Sequence, residues 1–253
     1  MMTGSKPLVS IYMPAIRPHW WRRIYDSLQS NKKVDFELIF VGHVHPDFPM
    51  PSNMIHIYSP VKPAQCAEIG FRNCHGQFCM NIADDIVFGE RCLDILYDKF
   101  ISLGTDLVVV SCIHHAGGKP LPKEMNTFFP NNPSTPINPI AGLYKTEVYR
   151  SLGSRDRNFV CTYSDSDMAF RLYERGGKSV ICEEAHVHEV NPPGTRHDSG
   201  LNWIGKDIDW PLMLDLWFKN RSTVYLGKRS RSIDPFVEEG LLTASQGPKG
   251  KWQ

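Results

Sequence analysis

The chain has 253 residues, 42% of them hydrophobic and 22% charged, with 28 basic against 27 acidic side chains. That composition is ordinary for a folded protein and excludes wholesale disorder or a membrane bundle, while the length suits one large α/β domain with at most a modest appendage. A net charge of +1 gives no general drive toward nucleic acid, so no nucleic-acid partner is expected and any anionic ligand must be held locally.

The seven cysteines, Cys66, Cys74, Cys79, Cys92, Cys112, Cys161 and Cys182, form no Cys-x-x-Cys pair and lie mostly in apolar stretches. They read as reduced, buried thiols of a cytoplasmic protein. The opening Met1 to Pro7 is followed by too few apolar residues for a secretory leader, which needs roughly 7–15. No uncharged apolar run approaches the roughly 18–20 residues that span a bilayer, so membrane association is expected to be peripheral at most.

Along the chain, Leu8 to Met13 reads as a short strand ended by Pro14. Pro18 to Ser30 follows with Trp20, Trp21, Ile24, Tyr25 and Leu28 at helical spacing. Phe36 to Val41 is a second strand closed by Gly42, and Met54 to Tyr58 a third. Ala64 to Cys74 reads as a helix stopped near Gly76, and Phe78 to Ile82 as a buried strand that delivers Ala83-Asp84-Asp85 to its C-terminal end. Glu90 to Leu103 is amphipathic, and Asp106 to Ser111 is another central strand. This alternation predicts a Rossmann-like, mostly parallel sheet flanked by helices.

From His115 to Pro139 six prolines (Pro120, Pro122, Pro130, Pro133, Pro136 and Pro139) predict a long loop, read as a flap or acceptor-side wall. Order resumes at Ile140 to Tyr144, then a helix over Lys145 to Leu152, a longer one over Asp165 to Arg175 ending at Gly176-Gly177, and a strand over Lys178 to Cys182. After Val190 the character changes: Pro192-Pro193-Gly194, a Trp-rich helix over Trp210 to Phe218, and a basic, polar tail. Residues 7–190 are therefore assigned to one domain and 191–253 to a C-terminal extension acting as a lid or packing arm. Trp203, Trp210, Trp217 and Phe218 in it suit core packing or a homodimer contact better than sugar stacking or membrane docking.

Three constellations can carry chemistry. Asp84 and Asp85 stand where ligands gather in open parallel sheets, outside the carboxyl ends of the strands. Adjacent carboxylates raise one another's pKa, and a hard divalent cation such as Mg²⁺ or Mn²⁺, shared with a diphosphate, relieves this; a solvated Asp-Asp turn is the plain alternative. Second, Ser164-Asp165-Ser166-Asp167 precedes Arg171 at the start of a helix, where capping alone favours acids. One Asp can cap or pair with Arg171 at i, i+4 while the other faces a cleft as a base. Third, His186 and His188 alternate after a strand and share a face, as metal ligands or as surface residues; His114 and His115 make a weaker pair.

Taken in order, these pieces resemble the family-2 glycosyltransferases with the GT-A fold, in the nucleotide-diphospho-sugar transferase superfamily. The likeness rests on the opening strand Val9 to Pro14, Arg72-Asn73 followed by Phe78 to Val87, Ser164-Asp165-Ser166-Asp167 with Arg171, and the late His188, and covers roughly residues 7 to 190. The chain departs from the family where Ala83 replaces the first Asp of Asp-x-Asp, Gly42-His43 replaces the usual Asp after the second strand, and Ser164 replaces the usual Glu. The resemblance implies a metal-dependent, inverting transfer of a sugar from a nucleotide-diphosphate donor to a glycan or other hydroxyl acceptor. It implies Asp165 as catalytic base, Asp85 and His188 as ligands of Mn²⁺ or Mg²⁺ with His186 in reserve, and Asp84 beside the nucleotide ribose. Pro14, Ala15, Arg17 and Arg72 complete the donor site, with a UDP-sugar as first donor class and a GDP-sugar as second.

Two other readings remain at this stage. A carbohydrate- or nucleotide-binding protein that kept the fold and lost turnover fits the missing first Asp. A nucleotidyltransferase requires a glycine-rich, lysine-containing phosphate loop, where this chain has Ala15-Ile16-Arg17-Pro18-His19.

Overall fold

Strand β1 (Val9–Pro14) is buried over its first five residues, the pattern of a strand covered on both faces. It pairs in parallel with β2 (Phe36–Gly42) on one side and β4 (Phe78–Asn81) on the other, and β3 (Met54–Tyr58) joins β2 in parallel. The structure, a computed structural model, describes residues 6–121, 135–190 and 205–237. Helices α1 (Pro18–Ser27) and α2 (Pro63–Arg72) cross between these strands, each started by a proline in its first turn, where a missing N–H costs nothing. On one side of the sheet Trp21 of α1 stacks on Phe40 with ring centroids 4.4 Å apart. On the other, Gly70 of α2 lies against Tyr12 so closely that a Cβ would stand 2.9 Å from the tyrosine Cβ.

The remaining elements are β5 (Ile86–Phe88), α3 (Cys92–Ser102), β6 (Val108–Ala116), β7 (Lys119–Pro120), β8 (Gly142–Lys145), α4 (Thr146–Ser151), α5 (Ser164–Glu174) and β9 (Lys178–Glu189). They complete one sheet in the order β3-β2-β1-β4-β8-β6-β9-β5, with β7 on β6. The expected α/β architecture is present, but the sheet is mixed. β8 runs antiparallel to both β4 and β6, and β5 antiparallel to β9. Among the described residues between β6 and β8 there is no crossover helix of the kind that parallel neighbours need.

Two strands differ from the sequence expectation in length. β6 runs on to Ala116 and turns into β7 through Gly117 and Gly118, both at positive φ, so the first part of the expected loop is a hairpin; residues 122–134 of that expectation lie outside the described residues. β9 continues past Cys182 to Glu189, aided by a register shift against β6 between Ser111 and Ile113 that lets it reach β5. His186 and His188 are thus inside a strand, opposite Ile113 and His115.

The C-terminal part adds a π-helical turn (Gly205–Asp209), α6 (Trp210–Trp217) and a short 3-10 turn (Lys219–Arg221). Met213, Leu216 and Trp217 are fully buried in the same apolar cluster as α2 and α5. All seven cysteines are free and six are buried; burial pushes the thiols of Cys66 and Cys79 up to about 12, which keeps them protonated and inert. Among the described residues no helix is long and apolar enough to cross a membrane.

Candidate functional site

The loop after β1 meets the turn after β4 at the carboxyl edge of the sheet. Asp84 binds that loop with both oxygens: Oδ2 accepts the backbone N–H groups of Ile16 and Arg17, each at 2.8 Å, and Oδ1 accepts Arg17 Nε at 2.9 Å and Arg17 Nη2. Arg17 Nη1 also lies 3.0 Å from Asp85 Oδ2. Gly42, at the end of β2, allows the loop to sit there, because a Cβ on it would fall 1.7 Å from the Ala15 carbonyl oxygen. Ala15 N–H in turn donates to Val41 O at 2.8 Å. Pro14, Ala15 and Arg17 are therefore brought together with the Asp84-Asp85 turn, as expected from their places at two strand ends.

Asp84 is buried and its oxygens accept from the loop, so it fastens the loop to the turn. One expected placement differs. Arg72 sits in the last turn of α2, and that helix carries it about 15 Å away from the site edge. There its Nε bonds Glu68 Oε1 at 2.9 Å and its Nη2 the carbonyl of Phe236 at 2.8 Å. Arg17, from the loop itself, is the cation beside the carboxylates.

Burial pushes the Asp85 carboxyl above its ordinary value; Arg17 opposes this, and Asp84 and Glu189 reinforce it. Asp84 and Asp85 share the Arg17 guanidinium, and Glu189, whose Oε1 lies 3.0 Å from His114 Nε2, adds to the negative charge felt by Asp85. Such an excess of negative charge suits an added cation. Among the described residues no group of three or more His, Cys, Asp and Glu side chains is arranged to hold a metal ion by itself. Asp85 is the carboxylate of this edge that could take a divalent cation, with its other ligands supplied from elsewhere.

His188 lies opposite Val87 in the β5–β9 pairing, and Asp85 O accepts Val190 N–H at 2.8 Å, so the two expected ligands sit on adjoining segments. The immediate neighbours of His188 are other imidazoles: its ring centroid is 4.4 Å from that of His115, whose Nε2 is 3.0 Å from His186 Nδ1. Burial and then the nearby histidines lower the pKa of His188, and of His115 likewise, which favours their neutral forms.

The two acids of the second motif, Asp165 and Asp167, point in different directions from the helix. Asp167 faces inward and is fully buried, 2.9 Å from Arg171 Nη2, with Trp217 Nε1 and Arg229 Nε donating to its Oδ1 at 2.9 Å. Asp165 is half-buried and lines a pocket with Asn81, Pro139, Gly142, Tyr144, Tyr149 and Arg155. Its Oδ1 accepts the Ser166 N–H at 2.9 Å, leaving Oδ2 without a hydrogen bond to the described residues.

Arg155, to which no sequence signal pointed, joins the two halves of the site. Its buried guanidinium donates to Asn81 Oδ1 at 3.0 Å, at the end of β4, and to Ser164 Oγ, next to Asp165. Ser164 is thereby a neutral partner for that arginine.

No protein-family model matches the chain, and no curated protein sequence does. The fold matches the crystal structure of S. aureus TarS 1-349 with a TM-score of 0.55 at 13% identity, over 72% of this chain and 60% of that one. It matches S. aureus TarS 1-349 in complex with UDP with a TM-score of 0.54 at 11% identity, over 71% and 60%. S. aureus TarS itself is matched with a TM-score of 0.54 at 12% identity, over 79% of this chain and 38% of that one. The chain has the GT-A-like fold, and the likeness spans 60% of the shorter TarS chain.

Proposed function

We propose that this chain is an inverting glycosyltransferase that takes a UDP-sugar as donor and a hydroxyl group, on a glycan or similar molecule, as acceptor. The observation that carries the reading is the Arg155 bridge. It links Ser164, next to the pocket carboxylate Asp165, to Asn81, three residues before Asp84, in a fold for which TarS has been crystallised with UDP. Residues 7–190 form the catalytic domain of this proposal and 191–253 its supporting arm.

Asp165 takes the proton of the acceptor hydroxyl, the oxygen bonds to the anomeric carbon as the bond to the diphosphate breaks, and the nucleoside diphosphate leaves with the electron pair. Asp84 holds the Pro14 to Arg17 loop against the sheet edge, where its backbone lines the nucleotide side. Arg17 offsets the charge of Asp84 and Asp85. A Mn²⁺ or Mg²⁺ ion on Asp85, with His188 as second ligand, would neutralise the leaving diphosphate.

Turnover of UDP-sugars with Mn²⁺ present, followed as UDP release with and without acceptor sugars, tests this on wild type and Asp165→Asn. Transfer by the wild type and its loss in the variant, with UDP binding retained, is the expected result. UDP binding without any turnover by the wild type would favour the alternative of a nucleotide-binding protein that has lost catalysis.

A further inference from the structure

The corner between residues 160 and 163 delivers Asp165, and it is held by a carboxylate from the C-terminal extension. Asp209 accepts three consecutive backbone N–H groups: Val160 at 2.9 Å on Oδ1, and Cys161 at 2.8 Å and Thr162 at 2.7 Å on Oδ2. The next residue, Tyr163, has φ 59°, a left-handed conformation unfavourable for a non-glycine residue. Conformations of this kind persist only where the surroundings impose them. Trp210 packs on the Tyr163 ring with centroids 5.3 Å apart, and α5 starts at Ser164. Gly205 permits the approach, since a Cβ there would lie 2.7 Å from Thr162 Oγ1. Asp209 has no exposed surface, so it does not reach a substrate itself.

We infer that Asp209 is a positioning residue: by gathering the amides of Val160, Cys161 and Thr162 it fixes the left-handed turn at Tyr163 and hence the direction of Asp165. The inference rests on the transferase reading for its catalytic consequence, and on the corner geometry alone for its structural one. Asp209→Asn keeps the volume and one acceptor oxygen but sets an amide nitrogen against the N–H groups of Cys161 and Thr162.

The test combines hydrogen exchange, UDP titration and steady-state transfer on the full chain with Asp209→Asn, and with Trp210→Leu as a second variant that leaves the carboxylate in place. Expected are faster exchange confined to residues 160–165, UDP affinity within a factor of about two, and kcat lower by about 10–100-fold at little-changed donor KM, as for a displaced catalytic group. Loss of local protection with wild-type kcat in both variants would overturn the positioning role. So would a kcat that falls only in step with UDP affinity and global protection, which marks a merely structural residue. A wild type without turnover would count against the transferase reading, and unchanged exchange at residues 160–163 in Asp209→Asn would then still overturn the clamp.

Discussion

Arg17 and Asp84 are joined through both backbone and side chain: the Arg17 backbone N–H reaches Oδ2 at 2.8 Å while its Nε reaches Oδ1 at 2.9 Å. A loop and a turn 67 residues apart in sequence are thereby locked as one edge. Arg17→Ala removes the guanidinium from two buried carboxylates and is expected to cost about 1–3 kcal/mol, together with weaker UDP binding. Arg17→Lys should recover little, because an ammonium cannot reproduce the fork that spans Asp84 and Asp85. Urea unfolding and UDP titration of both variants check this; a lysine variant equal to wild type would show that charge alone suffices.

Gly42→Ala is expected to disturb the same edge from beneath. Its Cβ would fall 1.7 Å from Ala15 O, and the loop has to move away from β2 to admit it. A loss of about 1–3 kcal/mol is expected, typical of overpacking, with UDP affinity falling as well. An alanine variant of wild-type stability and affinity would show that the loop is free to shift.

Much of this was legible in the sequence. Continuous apolar runs gave β1, β2 and β4, and helical spacing gave α1, because these elements obey local rules. The strand end before Asp84 and the different directions of Asp165 and Asp167 followed from period and spacing. What was not legible was set by partners far along the chain. β5 is three residues long and exists only because β9 reaches it, and the mixed sheet depends on where β8 inserts. Arg72 matched a motif by type and order, yet the length of α2 places it at the wrong end of the sheet. Arg155 and Asp209 are single polar residues whose partners lie 74 and 49 positions away, and no local pattern announces them.

Arg229 is buried between Asp156 Oδ2 at 2.6 Å and Asp167 Oδ1 at 2.9 Å. Replacing it by Met leaves two buried carboxylates with one fewer counter-ion, an expected loss of about 3–5 kcal/mol. Equilibrium unfolding measures this, and a loss under about 1 kcal/mol would be that of an exposed ion pair.

Asp94 supplies a pH signature. Burial pushes its carboxyl up, but the backbone N–H groups of Lys32, Lys33 and Val34 and the side chain of Arg91 outweigh that, leaving it below 3.8. A carboxyl with a depressed folded-state pKa contributes stability above its unfolded value, and the contribution disappears as pH falls through the folded value. Wild type should therefore exceed Asp94→Asn in stability at pH 7, and the gap should close below about pH 4. A gap that is constant between pH 7 and pH 3 would mean that the hydrogen bonds do not depend on ionisation.

Calorimetric titration of UDP into wild type and Asp85→Ala, each with Mn²⁺ and with EDTA, addresses the central claim most directly. Binding to the wild type that needs Mn²⁺ and is lost in the variant is the predicted result. Absence of binding of UDP, and of GDP and dTDP run alongside, under every condition would contradict the assignment of this edge as a nucleotide-sugar site.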